Sequence, residues 1–215
     1  MKASWIRLAF MGILSLLSSG TSAAPEENFW RWFVKNESMI FHFESNREEI
    51  FDQLSHELDK VNTDLTFEFG PVRAEGRRAF VISADGVVSA FPAVDKLAAA
   101  APDLERWIIV KFRPRRNPIN NIEINGVLVK ADEVRYQLYA DDGKLGILMF
   151  LNGYSEAEAA LYAHIGYLLL DEAIGEYDVE TKLGFIEFSG TDSEHFGNAQ
   201  PLRYLAEQVD GYFSQ

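Results

Sequence analysis

Residues 65–83, LTFEFGPVRAEGRRAFVIS, decide how the first half of this chain is read. LTFEFG (65–70) alternates with period two, the spacing of a strand with one buried face. A turn region with Gly70, Pro71 and Gly76 follows, and RAFVIS (78–83) is again strand-like. The two runs predict a β-hairpin. Upstream, SNREEIFDQLSHELDKVN (45–62) places Ile50, Leu54, Leu58 and Val61 at helical spacing, and Ser45 with Glu48 matches a capping box. MIFHFE (39–44) is short and aromatic-rich, which suits a strand. Downstream, FPAVDKLAAAAP (91–102) reads as a helix, with Pro92 near its first position and Pro102 beyond its end. WIIVKF (107–112) reads as a buried strand. In order, residues 39–112 give β-α-β-β-α-β, a ferredoxin-like N-terminal half of an α+β protein.

The chain opens with the features of a secretory signal. Lys2 and Arg7 precede an apolar run from Leu8 to Leu17, and the small residues GTSAAP follow, so cleavage is expected after Ala23. The run is too short for the ~20 residues that a membrane span needs. No stable membrane insertion is therefore expected after signal cleavage, and the mature protein is expected to be periplasmic or secreted. The chain has no cysteine, which excludes disulfides, thiol nucleophiles and thiolate metal sites. A formal charge of −13 argues against nucleic acid as a partner and against anionic lipid. In ENFWRWFVKNES (27–38), Phe29, Trp32 and Phe33 share one helical face, with Trp30 to one side. Glu26, Glu27 and Glu37 speak against a membrane-surface helix, whose polar face is usually basic, so this face is expected to dock on the domain.

RPRRNP (113–118) breaks the pattern, because Pro114 and Pro118 cannot continue a ladder. It divides the chain into a signal (1–23), an N-terminal subdomain (24–112), a linker (113–118) and a C-terminal α+β subdomain (119–215). In the last of these, NIEINGVLVK (121–130) predicts a hairpin turning at Asn125-Gly126. VRYQLYA (134–140) and KLGILMFLN (144–152) predict a second, antiparallel like the first. YSEAEAALYAHIGYLLLDEAIGE (154–176) is the strongest helix signal, with a capping box at Ser155 and Glu158 and Gly175 at the C-terminal cap. GFIEF (184–188) reads as a strand and PLRYLAEQVDGYF (201–213) as a closing helix. No long repeat is visible.

The chemistry-bearing residues fall in two clusters. Arg113, Arg115 and Arg116 leave the end of an apolar strand, where their forked donors suit carboxylate or phosphate. Asp171, Glu172, Glu176 and Asp178 form an acidic cluster at and beyond a helix end, where the dipole disfavours negative charge. Intramolecular pairing between the clusters is the favoured reading, and an external anion site the competing one. Arg113 is expected to be the most buried of the three arginines. The spacing of a calcium loop is missing, so no metal is expected. His164 stands seven residues before Asp171 on the same helical face, which suggests an acid–base pair, although a satisfied histidine in a buried helix is the favoured reading. Phosphate-binding, nucleophile-elbow and zinc-protease motifs do not occur, and no cofactor is implied.

The stretches DLTFEFGP, VISADG, AFPAVDKLAAAAP, VKFRPR and LLLDEAIGEYDVETKLGFIEF together resemble a family of uncharacterised bacterial proteins, a domain of unknown function, over about residues 29–190. The resemblance implies no catalytic role for any position. The expectation is an exported, soluble, non-catalytic binding or interaction module with an unknown protein or small-molecule partner. The alternative is a hydrolase-like enzyme using carboxylates and His164 in a cleft between the halves.

Overall fold

The computed structural model describes residues 23–214, so the signal expected over residues 1–23 lies outside the described residues except for Ala23. Its helices are α1 (Pro25–Phe41), α2 (Arg47–Asp59), α3 (Phe91–Ala99), α4 (Ala159–Ile174), α5 (Glu176–Lys182) and α6 (Leu205–Phe213). Its strands are β1 (Thr66–Phe69), β2 (Arg78–Ser83), β3 (Trp107–Lys111), β4 (Ile122–Ile124), β5 (Val127–Val129), β6 (Arg135–Asp141), β7 (Lys144–Leu151), β8 (Leu183–Gly190) and β9 (Gln200–Pro201). The protein is α+β, with three small sheets among the described residues.

The hairpin of residues 65–83 is present as β1 and β2, antiparallel with Thr66 opposite Ser83. The chain then crosses through α3 and returns as β3, parallel to β2. The strand expected at Met39–Glu44 is not formed. Ile40 and Phe41 instead prolong the buried face of α1, and a 3-10 turn follows over Phe43–Ser45. The segment is claimed by helix packing, because Phe29, Phe33 and Ile40 recur at helical spacing and are all buried. The first half therefore runs α-α-β-β-α-β, in place of the expected ferredoxin-like β-α-β-β-α-β. The α1 face also differs in detail. Trp30 is buried and donates its indole N–H to the Leu97 carbonyl at 2.7 Å, while Trp32 stays half-buried.

The second half builds the same unit again. β6 and β7 form a hairpin whose Asp142-Gly143 turn has φ of 45° and 83°, both left-handed. The chain crosses through α4 and α5 and returns as β8, parallel to β7. β9 adds to the free edge of β6, and β4–β5 make a separate hairpin. Neither expected capping box caps its helix through a side-chain hydrogen bond. α2 starts after Asn46, and Ser155 to Glu158 leads into α4 through a 3-10 turn. Past Gly175, Glu176 and Asp178 are not in a loop but in the first turn of α5, where the helix dipole favours carboxylates.

Buried apolar side chains form two clusters, one drawn from residues 29–112 and one from 129–209. The first is dominated by rings: Phe33 meets Trp107 edge-on at 5.1 Å, and Phe29 stacks on Phe80 at 6.2 Å. It also contains Arg78, 3% exposed, whose guanidinium lies 4.6 Å from the Phe43 ring centre. Arg78 Nη1 donates to the Phe41 carbonyl at 2.6 Å, satisfying a backbone acceptor at the end of α1. Among the described residues no helix is long and apolar enough to cross a membrane.

Candidate functional site

Between the two clusters the chain places its charges. Phe112 has φ 60°, a left-handed turn that swings the backbone away from β3 and into the second half. The Arg113 side chain, 13% exposed, then meets three carboxylates: Glu68 at 2.6 Å, Asp85 at 2.8 Å and Asp171 at 3.3 Å. Burial works against its charge, but the hydrogen bonds to Asp85 and Glu68 outweigh that and hold its proton more tightly than usual. Arg115 forks onto Asp210 at 2.7 and 3.1 Å and reaches Asp178 at 2.9 Å. Arg116 pairs with Glu172 at 2.9 Å and lies 3.6 Å from Glu68. The two sequence clusters thus meet, with Glu68, Asp85 and Asp210 as further partners. Those three were not legible in the sequence, since each lies 28 or more residues from the arginine that it meets.

Glu176 joins the halves through the backbone. It is fully buried; Oε1 accepts from Ala84 N–H at 3.0 Å and Gly86 N–H at 3.3 Å, and Oε2 from Arg113 N–H at 2.9 Å. Its own N–H donates to the Arg113 carbonyl at 3.0 Å, and Arg116 N–H donates to the Glu172 carbonyl at 2.7 Å. Gly175, with φ 88°, supplies the left-handed backbone that brings the start of α5 against the Arg113–Arg115 backbone, a conformation that L side chains rarely adopt.

Two cavities flank the junction. One, of about 380 Å³, is lined by Asp85, Arg113, His164, Tyr167, Asp171 and Glu180, among others. Burial pushes the Asp171 carboxyl up to about 7, with Arg113 opposing and Glu176 reinforcing the shift. Burial and then Glu176 also raise Glu180. No hydrogen bond joins His164 to Asp171 among the described residues. None of their histidines and carboxylates gather in a group that could hold a metal ion.

The other cavity, about 470 Å³, has apolar walls from Pro118, Ile119, Ala131, Ala173, Leu202 and Ala206. Arg115, Arg116, Asp132 and Arg203 supply its charge. A space of this size and character suits a small apolar ligand oriented by a few polar groups. Sequence reasoning missed it, since its walls come from the former linker, the loop after β5, α4 and the start of α6. No protein-family model matches this chain, and no curated protein matches it.

Proposed function

We propose that the protein is an exported, non-catalytic binding module that holds a small apolar molecule in the 470 Å³ cavity. The observation that carries this reading is the character of that cavity: apolar walls from the linker and the second half, with charged side chains as its polar component. Export rests on the charged, apolar and small-residue succession of residues 1–23. The arginines of RPRR serve the protein's own carboxylates in this reading and hold the cavity wall in place.

The test uses 3-methylbutan-1-ol, a neutral branched probe, titrated into labelled protein beginning at Ala24. Amide shifts are expected at Ile119, Ala131, Ala173 and Leu202, and Ala206→Trp should remove them by filling the cavity. Shifts absent from these residues in the unsubstituted protein would overturn the reading. Mass spectrometry of the exported fraction should find Ala24 as the first residue.

A second reading, a hydrolase-like enzyme, is favoured by one observation. Asp171, whose carboxyl burial raises to about 7, lines the same 380 Å³ cavity as the His164 side chain. Turnover of a panel of activated esters that disappears in His164→Ala and in Asp171→Asn would decide for it.

A further inference from the structure

The four charged residues lining the apolar cavity are not equivalent. Arg115 is held by Asp178 and Asp210, and Arg116 by Glu172, with Glu68 nearby. Arg203 and Asp132 are different: neither has an ion-pair partner among the described residues. Arg203 donates to the neighbouring Tyr204 hydroxyl at 3.1 Å and lies 4.6 Å from that ring's centre, which orients the guanidinium without neutralising it. Asp132 is exposed in the short loop between β5 and β6; its backbone carbonyl accepts from Arg135 at 2.7 Å, and its carboxylate acts on Lys130 only through space, because Lys130 is bridged to Glu133 at 3.0 Å. The segments that carry them are adjacent, because Leu202 N–H donates to the Val134 carbonyl at 3.1 Å.

We propose, resting on the cavity reading above, that the ligand is a free apolar amino acid, its carboxylate read by Arg203 and its ammonium by Asp132. The argument is charge complementarity. The cavity offers one cation and one anion that no salt bridge occupies among the described residues, beside an apolar wall that includes Ile119 and Leu202. A monoanion would leave Asp132 facing it unpaired, and a monocation would do the same to Arg203. A zwitterion with an aliphatic side chain answers both charges and fills the wall. Arginine is suited to the carboxylate end, since its planar fork matches two oxygens.

Four probes share one branched body and differ only in charge: leucine, 4-methylpentanoate, 3-methylbutylamine and the neutral 3-methylbutan-1-ol. Their dissociation constants are compared by titration of the amide resonances. Leucine is expected to bind at least tenfold more tightly than any of the other three. Arg203→Gln should bring leucine to the level of the amine, and Asp132→Asn to the level of the carboxylate. Both side chains are exposed, so neither substitution should change the thermal midpoint of the free protein. If the neutral probe binds and leucine binds no better, the charge reading falls while the cavity reading stands. If leucine binds tightly but ignores both substitutions, the assignment of Arg203 and Asp132 falls. If none of the four binds, both readings fall together.

Discussion

Asp171 packs 3.3 Å from the Arg113 guanidinium, inside a wall that withholds water from its carboxyl. Its folded value of about 7 lies above the ~3.9 of an unfolded aspartate. Between those values the folded chain binds more protons than the unfolded one, so this residue's contribution falls as pH rises. It is fully present below about pH 4 and is lost as pH passes 7, a change on the order of 4 kcal/mol. Asp171→Asn keeps an oxygen acceptor for Arg113 and removes the titration. The variant is expected to be more stable than the unsubstituted protein at pH 8, with the gap closing by pH 4.5. Urea unfolding at several pH values measures it, and a gap independent of pH would refute the assignment. Carboxylates held low by their own partners, such as Glu44 beside Arg78 and Asp210 beside Arg115, act in the opposite direction. The comparison is therefore made between the two proteins and not from one curve.

Helix α1 shows how an element is decided by what it packs on. Its pattern of rings was legible as one buried face, but which tryptophan leads was not. Trp30 and Trp32 are two positions apart on a helix, and only the partner surface selects between them. The Leu97 carbonyl receives the Trp30 indole N–H, and the rings of Phe29, Phe33 and Phe80 surround it. Trp30→Ala is expected to cost about 3–5 kcal/mol, as the loss of a fully buried large ring does. Trp32→Ala should cost clearly less, since its ring remains partly in water. Thermal and urea unfolding of the two variants would check the order, and equal losses would count against it. The same element explains why MIFHFE misled. Short aromatic runs favour strands when taken alone, but Ile40 and Phe41 extend the face already set by Phe29 and Phe33. Arg78, from a distant strand, then completes the helix end. Likewise Glu176 and Asp178, which look misplaced at the end of one helix, open the next once Gly175 turns the chain.

At the scale of the whole molecule, a hairpin, a helical crossover and a strand parallel to the second hairpin strand occur twice, each over its own core. The junction between them hangs on Glu176. Removing its carboxylate leaves the N–H groups of Ala84, Gly86 and Arg113 without their acceptor, at a cost of about 3–5 kcal/mol. Trp30, Trp32 and Trp107 all lie in the first half, so in a chain beginning at Ala24 tryptophan fluorescence reports that half, while circular dichroism reports both. The two signals are expected to coincide in the unsubstituted protein and to separate in Glu176→Ala. Coincident curves in the variant would show that the halves are coupled by other contacts. Local pattern alone was enough for the β1–β2 and β6–β7 hairpins, for α2, α3 and α4, and for the division of charge into a basic and an acidic cluster, because period, turn chemistry and composition act over a few residues. Tertiary structure alone decided that residues 39–44 are not a strand, that the two halves share a topology, that Glu68, Asp85 and Asp210 complete the ion pairs, and that a cavity opens beside Pro118 and Leu202. Those outcomes depend on contacts between residues far apart in sequence, whose free energy is set by burial and by partners that no local window contains.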